Sequence, residues 1–177
     1  MYIKELDLPK IPPELARLTT NTEAFRNTPW QVLKNGVYHS SGHYQRCDVE
    51  PQLNSWIDQQ VTDQYLHVSA CAMYGEEHNA PHTDTTREFT LIYLTELGGD
   101  GVRTVFYREQ DQEIHRPRHY HPDYHSLVTL EEYTLKPETW YLLDSRVIHS
   151  VEGIRSVRKS IQVGFGLEHD WARQHFD

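Results

Sequence analysis

"APHTDTTREFTLIYLT", residues 80–95, sets a histidine and an aspartate two positions apart and then runs straight into a β-rich segment. In an extended chain, residues i and i+2 project to the same face. His82 and Asp84 can therefore aim an imidazole and a carboxylate at one point. A third donor from elsewhere in the chain would complete a metal site. A His-x-Asp pair by itself is equally a polar turn ahead of a strand, so the weight falls on what accompanies it.

Around this stretch the sequence breaks into short extended segments with turn punctuation. "YLHVSACAMY", "FTLIYLT", "RTVFY", "SLVTL", "TWYLLD", "HSV" and "KSIQVGFGL" read as strands, and "ELGGDG" as a turn. Many short strands at this spacing indicate a mainly β fold, a sandwich or barrel, with helices packed on one face. The helices are expected from the first section. "PPELARL" opens on Pro12 and Pro13, which suit a helix start. "EPQLNSWIDQQV" carries Leu53, Trp56, Ile57 and Val61 at helical spacing. "GVYHSSGHYQRCDV" reads as loop or irregular strand. The expected organisation is a single domain over 1–177: a helical and irregular support over 1–63, a β core over 64–167, and a tail over 168–177.

Composition narrows the function classes. The 177 residues are 37% hydrophobic, with eleven tyrosines and four tryptophans, enough for a folded core. A net charge of −9 argues against general nucleic-acid binding or an anionic membrane surface. Cys47 and Cys71 form no disulfide framework, and no signal peptide or membrane run is read, so a cytoplasmic protein is expected.

His149, in "YLLDSRVIHSVEG", is the candidate third donor. Two histidines and one carboxylate are the ligand set that holds iron(II) and leaves coordination positions open. The strand that follows adds to this. In "RKSIQVGF", Arg158, Ser160 and Gln162 alternate with Lys159, Ile161, Val163 and Phe165. If the apolar set packs on the helices, the polar set points into the barrel, where an unpaired arginine is costly. A guanidinium there wants a carboxylate, which its planar fork takes bidentately. A dicarboxylic ligand could chelate the metal with one end and meet Arg158 and Ser160 with the other.

The series "HTD", "YLT", "GGDGVRTVFY" and "HSVEGIRSVRKSIQVGF" resembles the iron(II)- and 2-oxoglutarate-dependent oxygenases of the prolyl-hydroxylase type over about residues 64–167. The resemblance implies a double-stranded β-helix (jelly-roll) core, with His82, Asp84 and His149 as iron ligands. It further implies Arg158 on the distal carboxylate of 2-oxoglutarate, helped by Ser160, Tyr93 and Tyr74, with Thr104 and Phe106 lining the cavity. "GGDGVRT" is longer than the family's Gly-Gly-x-Thr turn, so the register of Thr104 and Phe106 stays open, and Arg155 is the alternative to Arg158. The implied activity is hydroxylation of a small molecule, such as an amino acid, or of an exposed protein side chain. Succinate and CO2 would be released, and ascorbate is a candidate reductant. The demethylase branch of the same superfamily carries a second arginine six residues after the first; position 164 here is glycine.

Other residues carry weaker expectations. "EIHRPRHYHPDYHS" reads as a surface loop whose His119 and His121 could contact substrate, and Arg87 either faces substrate or pairs on the surface. The non-enzymatic alternative is a cupin-like jelly roll binding metal or ligand. It lacks the expected HxH pattern here and gives Arg158 no purpose.

Overall fold

The computed structural model describes residues 1–17, 26–27, 30–41, 44–73, 78–84, 86–110 and 120–176. The described residues form thirteen strands and three α-helices, with a short 3-10 turn at Tyr124–Ser126. In order they are β1 (Ile3–Leu6), α1 (Pro13–Arg17), β2 (Arg26–Asn27), β3 (Trp30–Lys34), β4 (Val37–Ser41), β5 (Tyr44–Asp48) and α2 (Pro51–Gln60). Then follow β6 (His67–Met73), β7 (His78–His82), β8 (Phe89–Leu97), β9 (Arg103–Glu109), β10 (Leu127–Tyr133), β11 (Trp140–Asp144), β12 (Ile148–Glu152), β13 (Arg158–Phe165) and α3 (Asp170–Phe176).

The strands make two antiparallel sheets, a seven-stranded one ordered β1-β11-β8-β13-β6-β5-β2 and a six-stranded one ordered β10-β9-β12-β7-β3-β4. From β6 to β13 consecutive strands alternate between the sheets except at β9 and β10, which pair as neighbours in the six-stranded sheet, and this is the winding of a jelly roll. Alternation along β8 and β13 divides the core. Leu91, Tyr93, Ile161, Val163 and Phe165 face the helical layer, where they meet Leu53 and Ile57 of α2, Ala172 of α3 and Trp140. Leu94, Phe106, Tyr141, Leu143 and Val147 form a second cluster. The helices thus pack on one face, as the apolar spacing of α2 predicts.

The first section departs from the sequence expectation. Residues 1–63 are not mainly helical or irregular: they supply β1 to β5 along with α1 and α2. These strands are two to five residues long, too short to carry a sustained alternation of their own. They become strands by pairing with distant ones, β1 with β11, β5 with β6 and β3 with β7. The β3–β4 hairpin turns at Asn35 and Gly36, both at positive φ (52° and 75°), as a tight hairpin of twisted strands requires. The tail expected over 168–177 holds α3, with Trp171 stacked on Phe165 at 5.3 Å. No helix among the described residues is long and apolar enough to cross a membrane.

Candidate metal and co-substrate site

His82 ends β7, and His149 lies directly opposite it on β12, so the antiparallel register brings the two imidazoles side by side with ring centroids 4.5 Å apart. Asp84 follows on the turn after β7. One ligand atom from each of His82, Asp84 and His149 falls within 4.8 Å of the others, and all three residues are buried. The expected constellation therefore comes together in space.

Local hydrogen bonds orient each donor. His82 Nδ1 donates to the Ala80 carbonyl at 2.8 Å, and His149 Nδ1 donates to the Val147 carbonyl at 2.9 Å. Both rings thereby carry their proton on Nδ1 and present Nε2 as a lone pair, the arrangement seen around metal-binding histidines. Burial, then the neighbouring His82, pushes His149 down to about 4, so it is a neutral ligand near pH 7. Burial alone would raise the Asp84 carboxyl, but Arg87 and the two histidines outweigh it and hold the group well below the usual carboxylate range. Two imidazoles presenting Nε2 and one ionised carboxylate suit a divalent ion of the iron type.

The turn carrying Asp84 is stapled to the loop before His149. Asp84 N donates to the Ser145 carbonyl at 2.9 Å and Ser145 N to the Glu88 carbonyl at 2.9 Å. Glu88 also pairs with Arg146 at 2.6 Å. Thr90 Oγ1 lies 2.6 Å from Ser145 Oγ and donates to Asp84 Oδ2 at 3.3 Å.

Next to this cluster, the polar face of β13 lines the same cavity: Arg158, Ser160 and Gln162 all reach it, as alternation predicts. Arg158 is 6% exposed, and its Nη1 donates to the Leu97 carbonyl at 3.0 Å. Among the described residues no carboxylate pairs with it. Burial pushes its guanidinium down to about 10, and no charge among the described residues offsets the cost. Arg155, the alternative, is exposed on the turn before β13. The Gly98–Gly99 turn explains why Arg158 fits. Gly98 sits at φ +90°, and a Cβ there would stand 2.8 Å from the Arg158 Cβ.

Not every sequence candidate lies in the cavity. Thr104 lines it. Tyr93 does not: it faces the helical layer, 1% exposed, with its ring 4.8 Å from Trp140. The inward positions of β8 are Thr90 and Ile92. Phe106 is fully buried in the second cluster, 6.0 Å from the His149 ring, and packs behind that ligand instead of lining the pocket. Tyr74 and His119 lie outside the described residues. His121 stands near the site, 6.1 Å from the His82 ring and 6.2 Å from Tyr38. Its segment is tied down by paired bonds between Thr83 and Tyr120 and by the Tyr38 hydroxyl on the Pro122 carbonyl. Arg87 is turned inward, with its Nε 2.7 Å from Asp84 Oδ2.

Sequence reasoning passed over Asn79, Thr90, Ile92, Leu143 and Val151, which also line the cavity. Alternation about Asp84 and His149 could have pointed to Thr90 and Val151.

No family model matches the chain, and no curated protein matches its sequence. Solved structures do. A prolyl hydroxylase from Trichoplax adhaerens, solved with a hypoxia inducible factor oxygen degradation domain peptide fragment, is similar at a TM-score of 0.54 and 13% identity. The match covers 99% of this chain and 87% of that one. The 2OG-Fe(II) oxygenase family oxidoreductase of Burkholderia pseudomallei gives 0.52 at 14% identity, over 85% of this chain and 78% of that one. The fold is that of the 2-oxoglutarate oxygenases. A further match, E. coli ycfD, gives 0.53 at 15% identity over 93% of this chain, which spans about half (49%) of its length. The His-x-Asp turn and the arginine strand line one cavity of this fold, and the Gly-Gly turn packs against Arg158.

Proposed function

We propose that this chain is an iron(II)- and 2-oxoglutarate-dependent dioxygenase that hydroxylates a C–H bond. The observation that carries the reading is Arg158: a buried guanidinium with no carboxylate partner among the described residues, in the same cavity as His82, Asp84 and His149. A buried cation of this kind is stable only if something brings it an anion. The oxygenase fold and the two oriented imidazoles point to 2-oxoglutarate as that anion.

His82 and His149 would hold iron(II) through Nε2, and Asp84 through a carboxylate oxygen. Arg158 and Ser160 would take the far carboxylate of 2-oxoglutarate. When bound, iron(II) and 2-oxoglutarate supply the oxidative chemistry, with release of succinate and CO2. The chain's own contribution is orientation and exclusion of water. Phe106 backs His149, Ile92 and Leu143 wall the pocket, and the Ser145 loop fixes the Asp84 turn. The substrate is a small molecule, such as an amino acid, or an exposed protein side chain; the peptide bound to the Trichoplax prolyl hydroxylase favours the second class.

The test is anaerobic titration of iron(II)-loaded protein with 2-oxoglutarate, followed by the weak visible charge-transfer absorption of the chelate. The absorption should appear in the parent, vanish in His82→Ala and need far more 2-oxoglutarate in Arg158→Ala. A parent that binds neither iron(II) nor 2-oxoglutarate would leave only a jelly roll with a polar turn.

A further inference from the structure

Asp84 has two carboxylate oxygens, and the structure treats them differently. Oδ1 lies 3.6 Å from His82 Nε2, on the side of the imidazoles. Oδ2 accepts from Arg87 Nε at 2.7 Å and from Thr90 Oγ1 at 3.3 Å. Arg87 does not end there. Its Nη1 donates to Gln162 Oε1 at 2.9 Å, and Gln162 Nε2 donates to Ser160 Oγ at 3.2 Å. A continuous chain of polar contacts thus runs from the candidate metal ligand to the residue beside Arg158.

The backbone makes room for this chain. Arg87 leaves the turn after Asp84 and crosses the inner face of β13 at Gly164. A Cβ at position 164 would stand 3.1 Å from Arg87 Cδ and 2.7 Å from His67 Cε1. Gly164 has no positive φ to explain it; what it provides is the passage for the arginine stem. The side chain is 14% exposed, so this ion pair is largely desolvated and held in one geometry.

We propose that Arg87 is the positioning residue of this site: it binds Asp84 Oδ2 so that Oδ1 alone is presented to the metal, and through Gln162 it ties that carboxylate to the 2-oxoglutarate pocket. The inference rests on the metal-binding reading above and goes beyond it. It replaces a substrate-contacting Arg87 with one that acts through Asp84. A carboxylate so held offers one oxygen, which keeps further positions on the metal open to a chelating co-substrate.

The experiment is cobalt(II) titration of the metal-free full chain, with the visible absorption of bound cobalt and the dissociation constant as readouts. The proteins are the parent, Arg87→Met, Arg87→Lys and each Arg87 variant on an Asp84→Ala background. A cation beside the ligands would, by charge alone, repel a divalent ion, so a charge-only role predicts tighter binding in Arg87→Met. Positioning predicts the opposite: binding weakened about 10- to 100-fold, the usual effect of losing a partner of a metal ligand. It also predicts a changed cobalt spectrum. Arg87→Lys keeps the charge but can reach one acceptor only, and should lie between the two. On the Asp84→Ala background, Arg87→Met should cost nothing further.

If the parent binds cobalt and Arg87→Met matches or exceeds it with the same spectrum, the positioning role falls and the metal site stands. Equal losses with and without Asp84 would overturn it as well. A parent that binds no cobalt removes the metal reading, and this inference with it. Should Arg87→Met fail to fold, Arg87→Lys decides alone: parental affinity and spectrum would refute the proposal.

Discussion

Replacing Arg158 by methionine should make the ligand-free protein more stable while destroying its response to 2-oxoglutarate. Burial lowers the guanidinium from its ordinary value to about 10. At about 1.4 kcal/mol per pH unit, that is a penalty of about 3 kcal/mol on the charged form. Below pH 10 the side chain is charged both folded and unfolded, so the penalty is present in full at pH 7. Among the described residues the offset is the bond from Nη1 to the Leu97 carbonyl, worth about 1.5 kcal/mol for a charged donor. Arg158→Met removes both and keeps an unbranched apolar stem, for a net gain of about 1–2 kcal/mol. In a chain of this size that raises Tm by about 4 °C. A buried charge pair with a ligand carboxylate contributes about 3 kcal/mol, so the same variant should bind 2-oxoglutarate about 100-fold more weakly. Thermal unfolding of manganese(II)-loaded parent and variant, with and without 2-oxoglutarate, reads both effects. A ligand-free variant that melts below the parent would refute the uncompensated-charge argument. An undiminished thermal shift with 2-oxoglutarate would refute the assignment of Arg158 to its carboxylate.

Asp84→Asn should act in the opposite sense on stability, because it strands the partly buried Arg87 cation: a loss of about 3 kcal/mol is expected in urea denaturation of the metal-free protein, along with weakened but measurable binding in a cobalt titration. An unchanged midpoint would mean that the pair contributes nothing. Gly98→Ala forces a Cβ onto a φ of +90° and to within 2.8 Å of the Arg158 Cβ. It should cost about 1–3 kcal/mol by chemical denaturation and weaken 2-oxoglutarate more than metal, as parallel titrations would reveal. His67 is pushed down to about 4 by burial, then by Arg46 and Arg87. Between pH 6.5 and 4 the unfolded chain therefore binds a proton that the folded chain does not. Its contribution is complete above pH 6.5 and is lost as pH falls, with a slope of at most about 1.4 kcal/mol per pH unit. Urea denaturation at pH 7, 6 and 5 should show a shallower loss for His67→Gln than for the parent, and identical slopes would contradict the assignment.

Legibility varied with how local the signal was. α2 was readable because Leu53, Trp56, Ile57 and Val61 carry their own period, and β13 because "RKSIQVGF" alternates between a polar and an apolar face. β4 and β5 were not, since "GVYHSSGHYQRCDV" has no such alternation: β4 becomes strand in its hairpin with β3, and β5 by pairing with β6 across the intervening α2. The Asn35–Gly36 pair was a local hairpin signal there, but no strand pattern flanked it. Tyr93 went astray for a different reason. A strand residue has only two faces to choose from, and "FTLIYLT" is apolar enough on both that the sequence does not say which is inner. Arg87 was undecided between surface and site because it sits in a turn, where no period fixes direction.

The sequence by itself determined the chemistry available: a His-x-Asp turn, a later histidine before an apolar strand, and an arginine on the polar face of an alternating strand. These follow from residue type and from the two-residue period of extended chain. What the tertiary structure decided is which groups meet. The register of β7 against β12 sets His82 opposite His149, and the missing side chain of Gly164 lets Arg87 cross β13 to reach Asp84. Register and close approach depend on contacts between residues 67 to 77 positions apart, and no local pattern in a single sequence encodes that separation.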